Sequence, residues 1–492
     1  MRAAPVLLVL PLLLASLAGA VLLGPGLAPP SAPATADTRT DAAPFTTLVC
    51  PFALGSNLDR PLEACNVRAT AQTGPGNEID LAMDPTDPLH LVAVAKGYNY
   101  SRQLSGAGTG QVNTPYATTF DGGLTWVEGY IQPMSSVVAT LPVLGDLGRT
   151  ATSESDPIVE FLNSGRVIVN TLRVSGDDRG LPNYVSDDGG ATFGPQVSMA
   201  YAGGTDKQWF ANDPKTGNLY LITAFSGGLG FTRSTDEGFT WSAMKKICTC
   251  DLGGIDVGFD GAVHVIGMEQ GGISYTRSLD GGATWSAQKR IATHQGGAST
   301  PENLRVFRTP NIAQIAASRA DQGVYVAWAD HPDNAVQQAC PDLPLVGCPP
   351  IPDTNIFLAR SDDGGATWSA PIRVDDDPLS DVTMQFMAQV AVSPNGRDVH
   401  VAWMDQRHDP SGLLIEAYYA HSPDGGVTWE PNIKLSDAPF LSALSHHQTL
   451  APVHTGLFVG DYIGLQASDD RAVIAFPDTR YGRADVFIAT VV

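Results

Sequence analysis

Apolar and polar residues alternate in short runs along most of the chain, and the runs follow a fixed order. An alternating strand leads to a brief Asn/Asp/Gly turn, a second strand returns, and a variable loop precedes a third. The order first appears at Ile79–Met83, which turns at Asp84–Pro88 and returns through Leu89–Ala95. It recurs from Asp156 through Phe161 and back to Leu172, and again at Trp209–Asn212 with Asn218–Thr223. Later copies are Ile255–Phe259 with Ala262–Met268, Ile312–Ala316 with Val324–Trp328, and Met387–Val392 with Val399–Trp403. A seventh unit has strands near Gly464–Gln466, Ala472–Phe476 and Val486–Val491. The period of two predicts an all-β chain built from similar antiparallel units.

Each of the first six units then writes nearly the same eight residues. The clearest copy is Ser361-Asp362-Asp363-Gly364-Gly365-Ala366-Thr367-Trp368. The others begin at Thr119, Ser186, Ser234, Ser278 and Ser422; five of the six end in Trp and one in Phe193. Asp and Gly supply positive-φ positions and local carboxylate-to-backbone bonds, and Thr-Trp starts the returning strand, so each copy reads as a hairpin turn. A motif repeated in this way marks an array of supersecondary units.

The octapeptide resembles the Asp box (Ser-x-Asp-x-Gly-x-Thr-Trp) of the sialidase superfamily, and the resemblance covers the chain from about Asn77 to the C-terminus. It implies a β-propeller of four-stranded antiparallel blades, with the boxes on the turns between strands 3 and 4, away from the active site. The unit count predicts seven blades; the sialidases proper have six, which is the alternative. The seventh unit ends one strand short, and Thr46-Thr47-Leu48-Val49 is the candidate outer strand that would close the ring and cover its edge.

Ahead of the propeller (residues 46–492), residues 1–23 carry an apolar run, Val6–Leu23, behind the single charge of Arg2. Ala18-Gly19-Ala20 offers a cleavage site, so a signal peptide is one reading and a retained membrane anchor the other. Residues 24–45 are a linker rich in Pro, Ala and Thr. Either way the body is expected outside the cytoplasm, secreted or at the cell surface. Six cysteines suit that compartment; proximity suggests Cys50–Cys65, Cys340–Cys348 and Cys248–Cys250. Asn99-Tyr100-Ser101 is a glycosylation sequon. A net charge of −22 argues against nucleic acid or anionic membrane as partner. Any membrane contact is expected only through the N-terminal anchor, and the body is expected to be a monomer.

In a four-stranded blade the ends of strand 2 and the starts of the next strand 1 meet on the face opposite the boxes, where the long loops also lie. The polar residues there are Glu78, Asp156, Lys207, Asp256, Asn311, Gly460-Asp461-Tyr462, Lys96, Arg173, Asp330, Asp405 with Arg407, and Asp478 with Arg480. The family resemblance implies three arginines that fork a substrate carboxylate, a Tyr nucleophile paired with a carboxylate, and an Asp acid/base. Carried onto this chain, Tyr462 is the nucleophile, Glu78 or Asp156 its partner and Asp330 the acid/base. Arg173, Arg407 and Arg480 hold the substrate, with Asp405 and Asp478 beside them. The family's early Phe/Tyr-Arg-Ile-Pro motif is absent, and Asn77-Glu78-Ile79-Asp80 stands there instead. In the rival reading, Asp405–Arg407 and Asp478–Arg480 simply pair and seal their blades. His446, His447 and His454 lack metal-ligand spacing. Asp375-Asp376-Asp377 reads as a solvated acidic loop, with calcium the alternative, and no motif implies a cofactor. The expected function is a glycoside hydrolase of exo-α-sialidase type acting on extracellular glycans or glycoproteins. The alternative is a non-catalytic propeller that binds a glycan or protein.

Overall fold

The computed structural model describes residues 45, 47–49, 65–70, 76–99, 111–131, 154–173, 179–294, 312–331, 354–378, 383–409, 413–441, 446–447 and 457–492. Residues 1–44 (the leader and all of the expected linker but Phe45), Asn311, His454, Cys340 and Cys348, the partner foreseen for Cys65 and most of the sequon lie outside them. Among the described residues all regular structure is strand, and no helix is long and apolar enough to cross a membrane.

Seven four-stranded antiparallel blades follow one another. Blade one is Gly76–Asp84, Asp87–Asn99, Gln111–Thr119 and Val127–Ile131; blade two is Glu154–Phe161, Val167–Arg173, Gly180–Ser186 and Gln196–Ala202. Blades three to six repeat the plan, with first strands Trp209–Asn212, Ile255–Val257, Gln314–Ala317 and Gln385–Val392. The first strands pack in chain order, and that of blade seven, Gly464–Ala467, returns against Gly76–Asp84 to complete a ring. The blade count is seven, not six. Each sheet is covered by both neighbours, so middle strands such as Val324–Asp330 and Val399–Asp405 are buried at every position. Side chains of the first strands stitch the ring. Asp80 accepts from Val159 N at 2.8 Å, Asp256 from Ala317 N at 2.7 Å, and Gln466 donates to Leu81 O at 2.9 Å across the closing joint.

All six octapeptides occupy the turn between third and fourth strands. In the copy at Ser361, the hydroxyl donates to Asp363 and accepts from Gly365 N, both at 2.8 Å. Asp363 accepts from Thr367 N and Oγ1 at 2.7 and 2.6 Å. Gly365 sits at φ +88, and a Cβ there would collide with Tyr275 of the preceding blade. The turns also join blades: Arg233 donates to Gly281 O at 3.0 Å and Arg360 to Gly425 O at 3.2 Å. The closing aromatic meets the previous blade edge-on, as in Tyr116–Phe193, Phe231–Trp285 and Tyr275–Trp368.

Blade seven has no such turn, and the N-terminal stretch supplies what is missing. Leu48 bridges Val491, and Thr47 and Val492 exchange backbone bonds at 3.1 and 2.9 Å. Phe45 lies 4.5 Å from the His400 ring and 4.9 Å from that of His421 in blade six, the role the closing aromatic plays elsewhere. A second stretch, Val67–Arg68, pairs with Phe487–Ile488 on the same edge. The outer strand is therefore shared between two pieces, of which the sequence pattern indicated one.

Candidate functional site

Four blades have a non-glycine residue in the left-handed region within the first strand or two positions before it: Glu78 (φ 49), Asp156 (φ 47), Met387 (φ 57) and, before Trp209, Lys207 (φ 49). At three of these the ladder register skips, between Asn77 and Asp80, Ser155 and Ile158, and Phe386 and Gln389. Each such residue stores about 1–3 kcal/mol of strain, which persists only where the surroundings enforce it. At Glu78, Asp156 and Lys207 the enforcing contact is ionic. Lys207 Nζ touches Glu78 Oε1, Asp156 Oδ2 and Asp461 Oδ2, each at 2.7 Å, and so joins blades one, two, three and seven. Lys96, near the end of blade one's second strand, reaches Glu78 Oε2 at 2.8 Å and Asp156 Oδ1 at 3.7 Å.

The carboxyls of this group are driven apart. Burial, with Asp156 beside it, pushes Glu78 up to about 8. Asp156 is also buried, but Lys207 and Lys96 pull it well below the usual carboxylate range. Lys207 is held well above its ordinary value against its burial by Asp156, Asp461 and Glu78. Deeper along the first strands, burial raises Asp80 to about 7 and Glu160 to about 8.

Tyr462 stands at the edge of this group. Its ring lies 5.4 Å from Lys207 Nζ and edge-on to Trp209, and its hydroxyl donates to Pro157 O at 3.2 Å. Burial and the nearby Asp156 and Glu78 hold the phenol neutral. Asp330 is buried at the end of blade five's second strand and accepts from His331 N at 2.8 Å.

The three arginines are engaged within their own neighbourhoods. Arg173 is buried and donates to Glu154 through Nε at 2.9 Å and Nη2 at 2.7 Å. Arg407 pairs with Asp405 at 2.9 Å and Asp376 at 2.7 Å, and lies 4.0 Å over Tyr418. Arg480 repeats the arrangement with Asp478 at 2.6 Å and Asp437 at 3.7 Å, 4.6 Å over Phe487. In both repeats the Asp also accepts the backbone N–H of its arginine, at 2.7 and 2.8 Å. Thus Asp405–Arg407 and Asp478–Arg480 are ion pairs. Asp375-Asp376-Asp377 is not a solvated loop: Asp375 and Asp377 are buried against Arg373, and Asp376 receives Arg407. No group of three or more potential metal ligands occurs among the described residues.

The chain matches no protein-family model. A sialidase of Bacteroides fragilis is 25% identical over 209 residues, which span 41% of this chain and 28% of that protein's length. Among solved structures, the Hadza microbial sialidase Hz136 is 15% identical with a TM-score of 0.40, over 78% of this chain and 74% of that one. YCF48 bound to D1 peptide is 14% identical at 0.42, over 89% and 97%. The chain is a seven-bladed β-propeller that is similar over part of its length to a sialidase. The likenesses to solved structures, with scores below 0.5, have no bearing on activity.

In this propeller the two lysines are the residues that sequence reasoning undervalued. Lys96 and Lys207 stood among the strand-end residues, but no spacing shows that both fall on Glu78 and Asp156. Their position at strand ends on the face opposite the repeated turns was the one available signal.

Proposed function

We propose that this propeller is exported and hydrolyses glycosidic bonds in extracellular glycans, with Glu78 and Asp156 as its working pair. The observation that supports the reading most is that two carboxyls on one ammonium have opposite proton affinities, the pattern that divides acid from base or nucleophile. Glu78 keeps its proton at neutral pH and would protonate the leaving oxygen; ionised Asp156 would face the sugar carbon. Each places an oxygen 2.7 Å from Lys207 Nζ, so the two carboxyls meet on a single ammonium. Lys96, with 12% of its side chain exposed, marks the side from which a sugar would approach. An exo-α-sialidase reaction, as the repeated turns imply by resemblance, would instead assign the nucleophile to Tyr462 and the acid/base role to Asp330.

A non-catalytic propeller that binds glycan or protein is the second reading, favoured by the enclosure of Arg173 and the ion pairs of Arg407 and Arg480. Hydrolysis of fluorogenic glycosides by the wild type, Glu78→Gln, Asp156→Asn and Tyr462→Phe tests the choice. Turnover lost in the first two variants and kept in the third supports the carboxyl pair. Turnover lost in Tyr462→Phe supports the sialidase-type reaction, and no turnover from folded wild type supports the binding reading.

A further inference from the structure

Three consecutive aspartates between blades five and six divide their contacts in an orderly way. The last strand of blade five, Ile372–Arg373, continues as Val374-Asp375-Asp376-Asp377 toward blade six. Asp375 and Asp377 turn inward, and their side chains are fully buried. Asp376, between them, turns the other way. It accepts from Arg407 Nη1 at 2.7 Å and from Asn432 N at 3.0 Å, and its own N–H donates to Asn432 at 2.8 Å.

The inner two meet on Arg373. Its Nη2 touches both Asp375 Oδ2 and Asp377 Oδ1, and its Nε donates to Asp375 Oδ2 at 2.6 Å. The other oxygens face outward from this contact. Asp375 Oδ1 accepts from Ile356 N, on the third strand Asn355–Ser361, at 2.5 Å. Asp377 Oδ2 lies 3.3 Å from Gln385 Nε2 and 3.4 Å from Thr383 Oγ1. From blade six, Gln385 also reaches Asp405 at 3.4 Å, and Asp405 pairs with Arg407 at 2.9 Å. The charged groups around the pair are thus Arg373 and Asp376 on its own connection, with Asp405 and Arg407 opposite.

Two buried carboxylates on one guanidinium nitrogen repel each other, and a single cation does not offset both. One proton shared between them removes the conflict. Burial, and then the hydrogen bond with Asp377, raises Asp375 from 3.8 to about 8, so the proton is retained at neutrality.

We infer that Asp375 and Asp377 form a proton-operated latch. Their shared proton clamps the connection 374–378 between blades five and six; its loss loosens that connection, and with it the hold of Asp376 on Arg407 and Asn432. The folded state binds this proton more tightly than the unfolded chain. The clamp is therefore closed in acid and at neutral pH, and opens as pH rises through about 8. The latch does not depend on the glycan-directed reading above.

Hydrogen exchange of the full chain between pH 6 and 9.5, corrected for the intrinsic chemistry of exchange, tests it. The amides of Ile356, Asp376 and Asn432 are the readout, because latch side chains or the connection itself hold them. Their exchange is expected to rise at least fivefold between pH 7 and 9, while the turn Ser278–Trp285 stays unchanged. Asp377→Asn leaves Arg373 a single carboxylate and is expected to abolish the rise; Asp375→Asn is the second variant should the first fail to fold. Should neither fold, a wild-type rise confined to the three amides, with its midpoint near pH 8, supports the latch. Protection independent of pH, a rise spread over all blades, or a rise of wild-type size in a folded variant would overturn it.

Discussion

Lys207 Nζ and Glu78 Oε1 lie 2.7 Å apart although 129 positions separate the two residues. The contact exists only because the ring brings the first strands of separate blades to one axis. Lys207 bridges three buried carboxyl groups there, and Lys96 shares two of them. Lys207→Met keeps the volume and removes the charge. Loss of about 3–5 kcal/mol is expected, since breaking a buried ion cluster strands its partners. Chemical denaturation of the variant checks this; Lys215→Met, outside the cluster, is the control.

Stability should fall as pH rises through the neutral range. Glu78 goes from 4.5 to about 8 on folding, Asp80 from 3.8 to about 7, and Glu160 from 4.5 to about 8. For each, the folded state holds the proton more tightly than the unfolded chain. The stabilisation is complete below the unfolded values and is lost as pH climbs to about 8. Asp156 acts in the opposite sense, through the loss of its contribution in acid, below its unfolded value of 3.8. Tm measured at pH 5 is expected to exceed that at pH 8.5, and Glu78→Gln is expected to flatten the slope between them.

The repeated turns should matter for stability and not for chemistry. Ser361 is buried and its hydroxyl serves both Asp363 and Gly365 N. Ser361→Ala is expected to cost about 1–2 kcal/mol through the unpaired N–H, with any turnover per folded molecule unchanged. A denaturation curve and an activity assay on the same sample separate the two.

Phe45 should act as the fastener of blade seven. Phe45→Ala empties a fully buried site between His400 and His421, and a loss of about 3–5 kcal/mol is expected. A chain that starts at residue 50 should be less stable still and should self-associate through the bared edge at Thr490–Val492. Tm and light scattering of chains starting at 44 and 50 give the comparison.

Much of the architecture was legible because it is local. The Ser361 turn needs only the residues from 361 to 368, and alternation in Val399–Trp403 needs only its neighbours. Strand-end position likewise brought Glu78, Asp156 and Tyr462 into view together. The lysine bridge was not legible: Lys207 reads as an ordinary strand-start residue until residues 78, 156 and 461 converge on it. The state of Asp375 was hidden for a nearer reason. Arg373, two positions earlier, turns back onto it, and three consecutive aspartates suggest solvent unless that turn is known.

The bridge between Leu48 and Val491 also sets the order of events in synthesis. A ribosome delivers residue 48 long before residue 491, so every growing chain passes through an open arc with no partner for its earliest strand. The arc cannot close until Val491 has emerged. Folding of the final blade then becomes a meeting of two chain regions made far apart in time, which leaves an open, aggregation-prone arc until residue 491 is available.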